Sequence, residues 1–349
     1  MKTIPLEFLK PYLDKLKSGI AVDRYAVGLN LGFSTVKVAK LHLLKDKVEL
    51  CGFHLAQNQM DMEETLRAII RELDIKTVNF SLSGQQAIIR YVDFPKLKSE
   101  ELKQSLKFEA QKYIPFPAAD VNIDGCILRD DLPDNKMRVL LAAVKKDLLE
   151  QRLKLLRSVG LDVNVVEIDS ISLINAFNFN YADDETVKNK SIALLNIGSA
   201  TSNLNILDQG QPALSRDIPI GGNNLTQRIA EALGVDFKTA EAAKTGADKQ
   251  HSEKIAGVIE TVLAKLAHEA RSSFDYYESR SVASVEKIFI SGGASLYDGV
   301  KDMMMGYLGM PVENWDPYRK IAIASTLDAK QVQTVGGQLA VAIGLALRG

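Results

Sequence analysis

Asn30, Gly32, Ser34, Thr35 and Lys37 fall within one short stretch, Ala26-Val27-Gly28-Leu29-Asn30-Leu31-Gly32-Phe33-Ser34-Thr35-Val36-Lys37-Val38. An apolar run rich in β-formers breaks at Gly32 into small hydroxyl residues and resumes as strand. That pattern predicts a β-hairpin whose tight turn, with Phe33 at its tip, offers backbone N–H groups, two hydroxyls and an ammonium to an anion. Phosphate is the guest that such a turn fits. One hairpin of this kind occurs in any β-rich protein. Here the pattern recurs in Leu194-Leu195-Asn196-Ile197-Gly198-Ser199-Ala200-Thr201-Ser202-Asn203-Leu204, and Asn30/Asn196, Gly32/Gly198 and Thr35/Thr201 are each 166 residues apart. Two halves in register, each with a phosphate-gripping hairpin that includes Ser199 in the second, predict a nucleotide held in a cleft between domains.

The elements that must position these turns read off in order. Pro5 to Lys17 carries Leu6, Leu9, Leu13 and Leu16 at helical spacing, which predicts a short amphipathic helix. After the first hairpin, Val38 to Leu43 and Lys47 to Phe53 read as strands, Asp61 to Leu73 as a helix and Thr77 to Leu82 as a strand. Between Ala87 and Ile168 comes a segment of its own: strand 87–93, helix 99–112, strands 121–128 and 138–144, helix 147–159 stopped by Gly160, and strand 163–168. We read it as a compact inserted subdomain of two helices over a small sheet. Ile171 to Phe177 links the halves by a helix. The second half adds helices at Asn224–Leu233 and Asp236–Thr245, a long one over Ser252–Ser279, and an apolar strand, Val285 to Ile290, running into Ser291-Gly292-Gly293-Ala294-Ser295.

At 349 residues, two or three domains with ample core are expected. The 44 acidic and 43 basic residues nearly cancel, so no whole-protein field gathers nucleic acid or anionic lipid. The two cysteines and four histidines form no ligand-spaced cluster, which predicts reduced thiols and no direct metal site. No run approaches the roughly 20 apolar residues needed to cross a bilayer, and the N-terminus lacks a signal-peptide core, so the expected place is the cytoplasm.

The paired hairpins resemble those of the actin-like ATPase superfamily, whose pattern is apolar–x–Asp–x–Gly–Ser/Thr in both. Asn30 and Asn196 stand where that family has Asp. The inserted segment, through Tyr91-Val92-Asp93-Phe94-Pro95, Ser99-Glu100-Glu101-Leu102, Glu109-Ala110 and Tyr113-Ile114-Pro115-Phe116-Pro117, resembles the PilM family of type IV pilus assembly. Ala142-Ala143-Val144-Lys145-Lys146, Val166-Glu167-Ile168, Asn314-Trp315-Asp316-Pro317 and the closing Ala340 to Arg348 extend the resemblance over essentially Ala26–Arg348. It implies an α/β, actin-like fold of two duplicated ribonuclease H-like lobes, with a PilM/FtsA-type α+β subdomain in the first. Unlike FtsA, the chain is expected to carry no C-terminal amphipathic anchor.

The resemblance also distributes roles. Asn30, Gly32, Phe33, Ser34, Thr35, Lys37, Asn196, Gly198, Ser199 and Thr201 form the phosphate region. Gly221, Gly222, Gly292, Gly293 and Ala294 with Glu241 and Lys244 of Ala240-Glu241-Ala242-Ala243-Lys244 face the nucleoside, although that i,i+3 pair also reads as an ordinary surface ion pair. Glu167 or Asp169, near the hinge, is the remaining candidate to orient a water. The expected ligand is ATP or ADP, with Mg²⁺ carried by the nucleotide. Two amides cannot offset a divalent charge as two carboxylates do, so slow or absent hydrolysis is expected. The implied partner is the N-terminal cytoplasmic peptide of a PilN-like inner-membrane protein, seated between the first half-domain and the insertion; pilus motor ATPases and a homo-oligomer or ring complete the set, with no nucleic acid and only indirect membrane contact. An active ATPase, a secretion-system relative and an FtsA-like division protein stand as the alternatives.

Overall fold

The computed structural model describes residues 23–58, 61–84, 87–247 and 251–348; the helix expected at Pro5–Lys17 lies outside them. The first lobe opens with β1 (Arg24–Leu31), β2 (Thr35–Leu43) and β3 (Val48–Gln57), an antiparallel meander in which Asn30 pairs with Lys37 across the first turn. Helix α1 (Met62–Leu73) starts where the Asp61 carboxylate accepts the Glu63 amide at 2.8 Å, satisfying an N-terminal donor that the helix itself cannot. Strand β4 (Thr77–Leu82) then joins β1 in parallel.

The insertion follows: β5 (Ala87–Pro95), α2 (Ser99–Glu109), β6 (Val121–Leu132) and β7 (Lys136–Lys145), in a three-stranded antiparallel sheet of order β5-β7-β6. Helix α2 tightens into a 3₁₀ turn at Ala110–Lys112, ahead of the two prolines that forbid its continuation. Helix α3 (Lys146–Ser158) and β8 (Asp162–Ile168) come next. The sequence reading closed the insertion at Ile168. The backbone closes its sheet at Lys145, because β8 pairs in parallel with β4, and Leu149 and Leu156 of α3 are buried with Leu66 and Ile69 of the first lobe. Alternating apolar residues make a strand, but only pairing says to which sheet it belongs.

Helix α4 (Asp169–Tyr181) crosses to the second lobe: β9 (Ser191–Ile197), β10 (Ser202–Asp208), β11 (Gln211–Ile218), α5 (Gly222–Leu233), α6 (Phe237–Ala242), α7 (Ser252–Glu278), β12 (Val285–Ser291), α8 (Val300–Leu308) and β13 (Val312–Asn314). Strand β14 (Ile321–Ile323) returns to the first lobe's edge, followed by α9 (Ala329–Val335) and α10 (Ala340–Leu347). The two large sheets have orders β14-β3-β2-β1-β4-β8 and β11-β10-β9-β12-β13. Apart from β14, strand for strand and direction for direction they match, so the duplication seen in the hairpins extends through both lobes.

Helices α4 and α10 are buried between the sheets in one core with Leu41, Leu194 and Phe289. Helix α10 lies close to both β1 and α4 because the contact residues are small: a Cβ on Gly28 of β1 would stand 1.9 Å from the Ala342 carbonyl oxygen, and one on Gly344 1.8 Å from that of Ser172 in α4. The last turn of α10 is tied down by a buried ion pair, Arg348 Nε to Glu167 at 3.0 Å.

Candidate functional site

The first hairpin, β1–β2, turns at Gly32 to Ser34, and the turn is braced from β3, where the Asn58 amide donates to the Ser34 carbonyl at 2.8 Å. Phe33 projects into solvent and Ser34 and Thr35 are half-buried. Beneath it, Asn30 is buried. Its carboxamide oxygen lies 3.5 Å from Lys37 Nζ, and its nitrogen donates to Asp169 at 3.2 Å and Ser81 at 3.3 Å. Burial lowers the Lys37 pKa, which the neighbouring Asp169 partly counters, and burial raises that of Asp169 against the pull of Ser81 and Lys37. A desolvated ammonium and a desolvated carboxylate thus lie on the two sides of a neutral amide.

Helix α4 begins with the two residues that join the lobes. Asp169 reaches Asn30 of the first hairpin, and the Ser170 hydroxyl accepts from Asn203 on the return strand of the second at 2.7 Å.

The second hairpin, β9–β10, repeats the first. Asn196 pairs with Asn203, its oxygen accepts from Ser291 at 3.2 Å, and Ser291 sits opposite it on β12 as Ser81 sits opposite Asn30 on β4. The turn, Gly198 to Thr201, closes through the Gly198 amide to the Thr201 carbonyl at 3.0 Å. Against it rests the start of α5: the Gly222 amide donates to Gly198 at 2.8 Å and that of Asn223 to Ser199 at 2.7 Å. A Cβ on Gly221 would meet both turn carbonyls at 2.7 Å. From the other side, Gly292 (φ +90°) lies so near Asn196 that its Cβ would stand 2.7 Å from the carboxamide oxygen, while a Cβ on Gly293 beside it would meet only the Gln338 side chain, at an ordinary 3.5 Å. Ala294 is buried behind them. At Gly221 and Gly292 the close approach of the hairpin's own carbonyl oxygens leaves no room for a side chain.

Glu241 and Lys244 are not a surface pair. The Lys244 side chain is 2 % exposed, and its ammonium donates to Glu241 at 2.6 Å, Thr226 at 2.6 Å and the Gly222 carbonyl at 3.2 Å, over the Tyr297 ring. Turning inward to those acceptors coincides with a widening of the backbone: α6 ends at Ala242 and a π turn runs over Ala243–Ala247, where an α-helix was expected to continue to Thr245. All three lysine donors are used, so Lys244 fixes Glu241 and the start of α5, and of the pair it is Glu241 that remains half-exposed.

Glu167 belongs elsewhere. It is buried beneath α10, bonded to Arg348 and to the Ser172 hydroxyl at 2.6 Å, and burial raises its pKa. A carboxylate so enclosed cannot reach a water in the cleft, and the acidic group beside the first hairpin is Asp169. Sequence reasoning passed over Ser81, Ser291, Asn203, Thr226 and Asp217; Ser81 and Ser291 hold matching places on β4 and β12, but their separation in sequence is not the hairpins' 166 residues, so only the strand pairing shows the match.

The features compatible with a nucleotide are an ammonium held near a glycine turn and a half-exposed carboxylate. Fit to a divalent ion is poorer, since Asn30 and Asn196 are neutral and, among the described residues, Asp169 is the one carboxylate bonded to either of them. Among the described residues no helix is long and apolar enough to cross a membrane.

The chain resembles known proteins throughout. It is 21% identical to the cell division protein FtsA of Bacillus subtilis (strain 168) over 259 residues, 62% of this chain and 57% of FtsA. A solved PilM-PilN type IV pilus biogenesis complex superposes with TM-score 0.82 at 24% identity, over 93% of this chain and 98% of that one. The ethanolamine utilization protein EutJ of Carboxydothermus hydrogenoformans gives 0.55 at 14%, over 98% and 97%. The fold is therefore the two-lobed actin-like one. The family model described as type IV pilus assembly protein PilM matches residues 34–349, and the chain belongs to that family.

Proposed function

We propose that this PilM-family protein is a nucleotide-binding scaffold of pilus assembly, holding ATP or ADP between its lobes with little or no hydrolysis. The observation that carries the reading is the state of Asn30: its amide hydrogens bond Asp169 and Ser81, and its oxygen faces Lys37. The residue at the heart of the first hairpin is thus a neutral spacer. Lys37, Ser34, Thr35 and the turn amides meet the phosphates there, Thr201 and the Ser199 turn meet them from the second lobe, and Glu241 with Gly292–Gly293 receives the nucleoside. Mg²⁺, where present, arrives with the nucleotide and supplies charge neutralisation. Calorimetry with ATP, alongside phosphate release, tests this: binding with turnover well below about 1 per second supports it, and turnover at or above that rate overturns it.

One observation favours an active ATPase as the second reading. Asp169 is a carboxylate in the cleft whose raised pKa suits it to hold a water or accept its proton. Loss of any measured turnover in Asp169→Asn, with ATP affinity kept, would decide for that reading.

The partner proposed is the N-terminal cytoplasmic peptide of a PilN-like membrane protein, through which the chain is held at the inner membrane; the PilM-PilN complex in the matching structure supports this. The seat proposed is the junction of insertion and first lobe, where Leu128, Ala142, Val144, Leu148, Leu153 and Leu155 are only partly buried. Half-covered apolar side chains offer pockets to an extended peptide. Leu148→Glu should weaken a synthetic PilN-type peptide at least about tenfold without altering ATP binding; undiminished peptide affinity would move the seat elsewhere.

A further inference from the structure

A chain of hydrogen bonds leads away from the cleft. Asn203 donates to Ser170 at 2.7 Å and to Asp217 at 2.6 Å; its oxygen accepts from Asn205 at 2.6 Å; the oxygen of Asn205 accepts from Ser215 at 2.6 Å; and Ser215 meets the Tyr91 hydroxyl at 2.8 Å. Ser170 belongs to the helix between the lobes, Asn203 and Asn205 to β10, Asp217 and Ser215 to β11, and Tyr91 to β5 of the insertion. Asn203, Asn205 and Ser170 are buried. Asp217 also accepts the amide of Gly84, at the root of the insertion, and Asp169 accepts from Ser81 and Ser83 just before it.

The direction of the chain is fixed from one end. An ionised Asp217 only accepts, so Asn203 must turn its nitrogen toward it and its oxygen toward Asn205. Asn205 then presents its own oxygen to Ser215, whose proton is committed there. The Tyr91 hydroxyl is left as the donor to Ser215. Every member depends on its neighbour's orientation, and bonds in such a series polarise one another. The far end is not idle surface: Tyr91 and Ser215 line a cleft of about 1300 Å³ between the insertion and the second lobe, with Arg90, Arg216 and Arg280 on its walls.

We propose that this chain makes nucleotide occupancy of the interlobe cleft readable at the insertion. The proposal rests on the nucleotide reading above and names its consequence. Phosphates at the first hairpin draw Lys37 away from Asp169; Asp169 and Ser170 are consecutive at the start of the same helix; and a shift of Ser170 reorients Asn203 and, through it, the hydroxyl of Tyr91. The element that changes is the position of β5 against β11, edge strands of two sheets that these two hydroxyls join.

Hydrogen exchange on the full-length protein, with and without ATP, is the test. Tyr91→Phe removes one hydroxyl and keeps the ring; Ser215→Ala breaks the next link should the first variant fold poorly. In the parent, ATP should slow exchange at least about tenfold in the hairpins 28–38 and 196–204 and also in β5. In either variant the hairpins should still respond and β5 should change less than about twofold. A β5 response that persists in both variants overturns the proposal, as does a parent in which the hairpins respond and β5 does not; the nucleotide reading survives both. Hairpins that ignore ATP overturn the nucleotide reading and the proposal together.

Discussion

The side-chain amide of Asn30 donates to the carboxylate of Asp169 at 3.2 Å, across 139 residues of sequence. A carboxylate at position 30 would face another at that distance, and two such groups cannot both stay ionised without a cation between them. Asn30→Asp should therefore lower stability at neutral pH by on the order of 1–3 kcal/mol in the absence of divalent ions, and Mg²⁺ with ATP should restore it. Thermal melts with and without Mg²⁺ measure this; an unaltered Mg²⁺ dependence would show that Asn30 does not face the metal.

Lys37 tests the phosphate side. Its desolvated ammonium lies 3.5 Å from Asn30, longer than an optimal bond, so it gains by moving to a better acceptor. Lys37→Ala should weaken ATP by roughly 10- to 100-fold and leave adenosine almost unchanged, since only the phosphates gain from the charge. Titrations with both ligands separate the two effects, and equal losses would make the lysine structural.

Gly292 tests the close approach at the second hairpin. Its φ of +90° and the 2.5 Å from a built Cβ to the Ile197 carbonyl oxygen leave no room for a methyl group. Gly292→Ala should cost roughly 2 kcal/mol or more in chemical denaturation and impair nucleotide binding with it. Gly257, in mid-α7 with nothing near its Cβ, is the control: Gly257→Ala should stabilise by roughly 0.5–1 kcal/mol.

Burial raises the Asp169 pKa above its unfolded value of 3.8. For a carboxyl shifted upward, the favourable contribution is complete below the unfolded pKa and is lost as pH rises through the folded one, so at neutral pH the ionised group is a cost. Asp169→Asn should raise the neutral-pH melting temperature by the equivalent of roughly 1 kcal/mol, and the gain should vanish on acidification toward the unfolded value. Melting curves across that range decide it; a variant less stable at neutral pH would mean that Ser81, Ser83 and Lys37 more than offset the burial.

The hairpins were legible because spacing repeated: the same residue types 166 apart cannot be read from either half alone. Asp169 was legible as a hinge carboxylate, but its choice over Glu167 required seeing Arg348 come back from the other end of the chain. Lys244 and Glu241 could be placed on one helix face, whereas the burial of the lysine depends on Thr226 and Gly222, which arrive from the preceding helix. Asp217, Asn203 and Asn205 lie in strands whose text is ordinary β alternation, and nothing local marks them. Tyr91 stood out as part of a recognisable run; its partner Ser215 is 124 residues away. The fold was read well where information is local, and the assignment of β8 to the wrong sheet shows where pairing takes over.

The packing of α10 against β1, β4 and α4 bears on how the protein is made. A ribosome delivers β1 long before α10, so the part of the first sheet's inner face that α10 covers waits after α4 has been made, while the second lobe, apart from its side of the core shared with α10, is already complete when β13 emerges. The lobe begun first is finished last. During synthesis the part of the inner face of β1, β2 and β4 that α10 covers stays open after α4 has been made, until α10 itself emerges, and an apolar face left open in this way is exposed to misassembly.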